Sequence, residues 1–328
     1  MSLLPTRLPR LRRSLVLTAL AIAHMLLLPG CSSAPTRLPK TAQETLIEAE
    51  KLLYAERPED RHPGAARDLL LDVDPNSYRG RSKERYEIAL ASAYLGEKDY
   101  WTCYQTLKEF ARNYPSSPDY RKSETLIYTA GARLAATGWS LLGLWSDLSD
   151  AQSILEHFIA YYPSSSYYDD ALRILGEAAY KTGDYDRAIS RFGQLLQSVQ
   201  DSEWTELSRF YHAMSYFKKL SGPDYDMAAM RLAERELADY LRSGSKNEEH
   251  LLEARRSFST TLFWIQSKQI RIARFYLILE NGLGAKDQLV KVLEDPETPF
   301  RNQAEEMLAT AEKLLDQEAK ARGGKDAK

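Results

Sequence analysis

The chain writes one turn twice. Phe110-x-x-x-Tyr114-Pro115-Ser116-Ser117-x-x-Tyr120 returns as Phe158-x-x-x-Tyr162-Pro163-Ser164-Ser165-x-x-Tyr168. In each copy a helix ends before Pro, and a Ser is left in place to cap the helix that follows. Such self-similarity implies stacked like units, each too small to bury its apolar face alone. Around these turns, from Thr41 to about Asp316, the sequence is rich in Ala, Leu, Glu, Arg and Tyr. Runs of β-branched residues are scarce and apolar residues recur at helical spacing, which predicts helices throughout.

Leu172 to Gln200 is the clearest single unit, with Leu175-Gly176, Tyr180, Gly183-Asp184-Tyr185, Ala188 and Phe192. It resembles the tetratricopeptide pattern. Small residues sit where two helices cross, a Gly-Asp-Tyr turn follows, and Ala and an aromatic lie on the second helix. Weaker copies are Lys98-Asp99-Tyr100…Cys103…Leu107, Pro223-Asp224-Tyr225…Ala228…Leu232, and Pro63-Gly64-Ala65-Ala66 with Leu69-Leu70. The expected helix pairs are 41–56 with 63–73, 81–97 with 99–114, 118–137 with 148–162, 166–182 with 185–199, and 203–219 with 224–243. A long helix then runs from Asn247 to Glu280, with Leu252, Phe258, Leu262, Ile265, Ile272, Phe275 and Leu279 on its buried side. A shorter helix follows Gly284, and a capping helix with a polar outer face reaches Asp316. The expected fold is an all-α, right-handed superhelical solenoid of tetratricopeptide-like helix pairs with a long helix near the C-terminus. Residues 41–316 form the repeat domain and 317–328 a disordered tail.

The chain opens with Arg7, Arg10, Arg12 and Arg13, then an apolar run from Leu15 to Leu28, which reads as a secretory signal over residues 1–30. It closes on Leu28-Pro29-Gly30-Cys31, which resembles the bacterial lipobox. That resemblance implies cleavage before Cys31, a diacylglycerol on its thiol and an N-acyl chain on its new amine, with no other cofactor. Residues 31–40 then read as a lipidated flexible tether. By resemblance to sorted lipoproteins, Ser32 and Ser33 after the Cys imply the outer membrane, on its periplasmic face. Removing the leader's four Arg leaves 40 basic against 46 acidic side chains, a formal charge of −6, which points away from nucleic acid. Only Cys103 remains besides Cys31, so the mature chain has no internal disulfide. Between Trp101 and Tyr104, it reads as a small buried apolar residue.

No catalytic pattern is legible. His62, His157, His212 and His250 fall in no HExxH or Cys/His ligand set, so no metal site is expected. Gly138-Trp139-Ser140-Leu141-Leu142 lacks the second Gly of a nucleophile elbow. Gly282-Leu283-Gly284-Ala285-Lys286 reads as a helix C-terminus and turn. Glu248-Glu249-His250 reads as charge opening a helix at its positive end. Two features are candidates for binding. An apolar loop carries Trp139, Leu141, Leu142, Leu144 and Trp145; it either meets a partner or the lipid interface, or folds back as a plug. Tyr86, Tyr94, Tyr100, Trp101, Tyr104 and Tyr128 form a candidate peptide groove, although most aromatics at this spacing in repeats are core.

Four features together resemble BamD-type lipoproteins of the β-barrel assembly machinery. These are the lipobox leading into repeats, the paired Tyr-Pro-Ser-Ser turns, the long connection Gly138–Asp150, and the long helix through Ile272-Ala273-Arg274-Phe275-Tyr276 ahead of Gly284-Ala285. The units around 166–243 are additional to a standard member. The resemblance implies a non-enzymatic scaffold. Its N-terminal units would handle unfolded outer-membrane proteins, and its C-terminal units would dock the barrel-forming subunit through that subunit's periplasmic domains. The alternative reading is a pilotin-like or cell-envelope scaffold for a secretin, pilus or peptidoglycan-linked partner.

Overall fold

The computed structural model describes residues 41–138, 145–199 and 201–323. The leader, Cys31 and the tether lie outside them, as do residues 139–144 and 324–328. The described residues are all-α and hold no strand. Helices α1 (Ala42–Leu53) and α2 (Pro63–Leu71) pair, followed by α3 (Arg81–Gly96) with α4 (Tyr100–Leu107) and the short α5 (Phe110–Asn113). Helix α6 (Tyr120–Gly138) pairs with α7 (Trp145–Tyr161), α8 (Tyr168–Thr182) with α9 (Tyr185–Ser198), and α10 (Thr205–Lys218) with α11 (Met227–Arg242). Then come α12 (Glu248–Ile278), α13 (Gly282–Leu293) and α14 (Arg301–Gly323). Consecutive helices pack in pairs, as in a tetratricopeptide-like solenoid.

Within a pair, the turn is set by an Asp or Asn that caps the second helix. Asp99, Asp184, Asp226 and Asn281 accept from the backbone N–H groups of Thr102, Arg187, Ala229 and Gly284, each cap stabilising by about 1 kcal/mol. Three of these turns close the first helix identically. Asp99 N–H donates to Tyr94 O, Asp184 N–H to Ala179 O, and Asn281 N–H to Tyr276 O. The residue before each cap is left-handed: Lys98 (φ 66°), Gly183 (φ 80°) and Glu280 (φ 56°).

Between pairs the link is a hydroxyl. Ser117, Ser165, Ser202 and Ser245 donate to Glu84, Glu124, Asp169 and Glu206 at 2.6, 2.5, 2.6 and 2.7 Å. Thr298 donates to Gln266 at 2.9 Å in the same way. Each hydroxyl also accepts from the backbone N–H two residues on. One side chain thus caps the turn and ties it to the first helix of the preceding unit. Only two of these five junctions, the two Tyr-Pro-Ser-Ser turns, stand out as a repeat in sequence.

By these two rules α12 does two jobs. Its start is tied by Ser245 to α10, as the first helix of a new unit. Its second half carries Gln266 and the Tyr276–Asn281 turn, so it is the first helix of the last unit, with α13 as its partner.

Several sequence expectations need correction. Of the seven residues placed on the buried side of α12 only Ile265 is buried. Phe258, Leu262 and Ile272 are half-buried, while Leu252, Phe275 and Leu279 are exposed. The buried face is instead Ala254, Ser257, Thr261, Gln266, Gln269, Ile270 and Ala273 around Ile265, because small and hydrogen-bonded residues let α11 and α13 approach. The expected helix at 99–114 breaks after Leu107, and the short α5 resumes at Phe110. In the Pro223-Asp224-Tyr225 copy the cap is Asp226, and the buried set is Met230, Ala233 and Leu237 rather than Ala228 and Leu232. Gly282 and Gly284 open α13 rather than end a helix. A Cβ on Gly282 would meet Ala311 O at 2.7 Å, and one on Gly284 the Tyr276 ring at 2.9 Å. Helix α14 continues through residues 317–323, assigned above to the tail, because Gln317-Glu-Ala-Lys-Ala-Arg are strong helix formers.

The best unit packs as its pattern requires. Ala188 and Phe192 are fully buried, and a Cβ on Gly176 would lie 2.8 Å from the Phe192 ring. Cys103 is buried at 0% exposure, and burial pushes its thiol up to about 12, so it packs as an apolar group.

Candidate binding groove

A cleft of about 660 Å³ opens where α1, α2, α3, α4 and α6 converge. Its apolar walls are Leu53, Pro58, Pro63, Leu95 and Leu126, with the rings of Tyr54 and Tyr100. A second cleft of about 350 Å³ shares Tyr54, Ser92 and Leu126 with it and adds Ile88, Thr125, Arg121 and Lys122. The two therefore form one continuous groove across the first three units.

The groove has one sign of charge. Arg61, Lys98, Arg121, Lys122 and Arg133 line it, and no carboxylate does among the described residues. The nearest acids are neutralised at the margin. Glu97 is held by Arg67 at 2.6 Å, and Asp119 by Lys122 at 2.8 Å and by Arg81. Desolvation of Asp119 is outweighed by these two cations, which hold its carboxyl below the usual range. Across the floor Tyr54 Oη and Ser92 Oγ are 3.0 Å apart, and Ser92 donates to Ile88 O, fixing the ring's edge. Burial is the main cause of the raised Tyr54 pKa, so it stays a neutral hydrogen-bonding group. Such a groove fits an extended chain with an aromatic or aliphatic side chain and an anionic group.

Of the six aromatics offered as a groove, only Tyr100 lines it. Tyr86 is buried and stacked on Tyr78 at 4.4 Å. Tyr94 is half-buried between two core clusters. Tyr104 is buried against Trp101 and His157, while Trp101 is partly exposed. Tyr128 stacks on Tyr167 at 4.4 Å and donates to Asp170, joining α6 to α8. Period alone marks these rings as apolar-facing, and which face a neighbouring pair covers is a tertiary fact. Sequence reasoning missed Tyr54, which sits just past α1 at the expected helix boundary. Of the apolar-loop candidates, Trp139, Leu141, Leu142 and Leu144 lie outside the described residues, and Trp145 is the first residue of α7.

Three of the histidines are packed into the array. His157 stacks on Tyr161 at 4.4 Å and His250 on Phe210 at 3.9 Å. His212 Nδ1 faces Glu236 at 3.4 Å. Glu206 collects Tyr240, Ser245 and His250, and these bonds outweigh desolvation to hold its carboxyl low. Among the described residues no group of His, Cys, Asp and Glu could hold a metal.

Comparison with known families agrees with this geometry. Residues 60–178 match the family described as outer membrane lipoprotein, and residues 170–202 match a tetratricopeptide repeat. Over residues 60–178 the chain is therefore similar to BamD-type outer membrane lipoproteins. Most of the groove lies within this matched stretch, with Leu53, Tyr54 and Pro58 just ahead of it. Helices α10 to α14 lie beyond both matched stretches. No curated protein matches the chain. No described helix is long and apolar enough to cross a membrane.

Proposed function

We propose that the chain is a non-enzymatic scaffold of the β-barrel outer-membrane protein assembly machinery, held to the periplasmic face of the outer membrane by lipid on Cys31. The observation that carries this reading is the carboxylate-free, aromatic-edged groove built largely by the stretch similar to BamD-type lipoproteins. Outer-membrane barrel strands alternate apolar and polar side chains, with aromatics near their ends, and the groove suits such a segment when extended, together with an acidic side chain or chain end. The C-terminal units dock the barrel-forming subunit through its periplasmic domains. The acyl chains on Cys31 anchor the molecule firmly, because each buried methylene adds about 0.8 kcal/mol.

The test is recovery of partners from detergent-solubilised outer membranes with the tagged chain and a Cys31→Ser control. A barrel protein with tandem periplasmic domains is expected. A secretin or pilus component in its place refutes the assembly role and favours the pilotin-like reading. In parallel, a fluorescent peptide from an outer-membrane protein's last strand should bind, and Lys98→Glu with Arg133→Glu should weaken it at least tenfold. Unchanged binding excludes the groove.

A further inference from the structure

The last unit presents an apolar end to solvent where an earlier unit presents the same face to a helix pair. Aligned on the shared turn, Phe275 corresponds to Ala93 and Ala178, and Ile278 and Leu279 correspond to Gly96 and Glu97. Ala93 and Ala178 are buried. Gly96 lies so close to α2 that a Cβ would meet Pro63 at 2.7 Å, and Glu97 is held by Arg67 of α2. In α3 this face is therefore the seat of the preceding pair, α1 and α2.

In the last unit no described residue fills the seat. The turn after α10 reaches α12 only as far as Lys268, which donates to Tyr225 O, and Arg271, which pairs with Asp224 at 2.7 Å. Beyond Arg271 the helix projects past α10 and α11, leaving Phe275 57%, Ile278 74% and Leu279 58% exposed, with Leu283 of α13 beside them at 69%. A unit end that remains in water carries polar residues there: in α8 the corresponding positions are the exposed Lys181 and Thr182. Arg274, exposed on the next position of α12, has no carboxylate partner among the described residues. A contiguous apolar patch beside an unpaired cation marks a covered surface.

We infer that this seat docks an amphipathic helix of a partner protein, with small apolar residues against Phe275, Ile278 and Leu279 and a carboxylate against Arg274. The chemistry follows from the face that fills the seat in α3, where α2 supplies Pro63, Gly64 and Ala66 to the interface. The inference deepens the docking role given to the C-terminal units and rests on that reading only for which protein supplies the helix.

The experiment places a photo-crosslinking phenylalanine at Ile278 of the full-length chain in its own cells, with Lys181 as the matched control. Adducts from Ile278 are expected to map onto one helix of another protein, within a turn of an Asp or Glu, with none from Lys181. Phe275→Asp with Ile278→Asp should lower recovery of that protein at least tenfold, with groove-peptide binding and thermal unfolding unchanged. Arg274→Glu should weaken recovery, and reversing the partner's acid should restore it. Adducts to a strand, to a second copy, to lipid alone, or no adduct at all would overturn the inference. If the double variant still recovers the barrel-forming subunit and no helix adduct forms, the docking seat fails and the assembly role stands. If the wild-type chain recovers no barrel-forming subunit yet the helix adduct forms, the assembly role fails and the seat stands.

Discussion

Replacing Ser165 by Ala should weaken the junction between the third and fourth units more than the same change at Ser117. Ser165 Oγ accepts from Tyr167 N–H at 3.0 Å and donates to Glu124 at 2.5 Å. Losing the cap costs about 1 kcal/mol. Losing a hydrogen bond to a carboxylate costs about 1.5–3 kcal/mol when the acid is buried, and about half of that is reasonable for the half-buried Glu124. Glu124 has no cation partner among the described residues to replace the bond. The expected total is about 2–2.5 kcal/mol. At Ser117 the cap is the same, but Glu84 keeps Arg81 at 2.7 Å, so the cost falls to about 1–1.5 kcal/mol. Urea unfolding of the soluble Cys31→Ser chain gives each change in free energy. Because repeat arrays unfold by parts, hydrogen exchange at the Tyr167 and Tyr168 amides localises the effect. Equal costs at the two positions, or a cost below about 0.5 kcal/mol at Ser165, would refute the view that the hydroxyl bridge holds the junction.

Other expectations follow from the same packing. Gly282→Ala drives a methyl toward the backbone oxygen of Ala311, which cannot rotate away; a loss of about 1–3 kcal/mol is expected in urea unfolding, with exchange protection falling in α13 and α14. Glu280→Gly relieves a left-handed non-glycine residue and should stabilise by about 0.5–1 kcal/mol after the entropy of the added glycine; a lower midpoint would show that Glu280 is unstrained. Acid should destabilise the array through two partly buried histidines. Burial outweighs Glu236 to hold the His212 imidazole below its ordinary 6.5, and burial does the same at His157, helped by Lys108. With folded pKa values depressed, the unfolded chain takes up these protons first, so their stability is complete above pH 6.5 and is lost as pH falls below it. A stability profile between pH 7.5 and 5 should slope downward with acid, and His157→Phe with His212→Gln should flatten it; an unchanged slope would mean these rings do not drive the loss.

Much of the fold was readable because its rules are local. The Asp caps at 99 and 184, the Pro-Ser-Ser turns, and the small-against-aromatic pairing of Gly176 with Phe192 act within one unit, so spacing alone reveals them. The groove was less legible. Tyr100 could be found, but Tyr54 could not, because its partner Ser92 lies 38 residues away. The five cations come from three segments, and nothing in their spacing shows that they share a wall while Glu97 and Asp119 are neutralised at its margin.

The long helix shows where that boundary falls. Sequence by itself determined that α12 is one unbroken helix, since no Pro or Gly interrupts residues 248–278 and Asn247 caps its start. Only tertiary structure decided which side is buried, because that depends on where α10 and α11 end along it. Large apolar residues usually mark a core, yet on α12 the core side holds Ala254, Thr261, Gln266 and Ala273, while Phe275, Ile278 and Leu279 face outward. Helical period assigns residues to faces; neighbours determine which face is covered, and past Arg271 no described helix covers Phe275, Ile278 and Leu279.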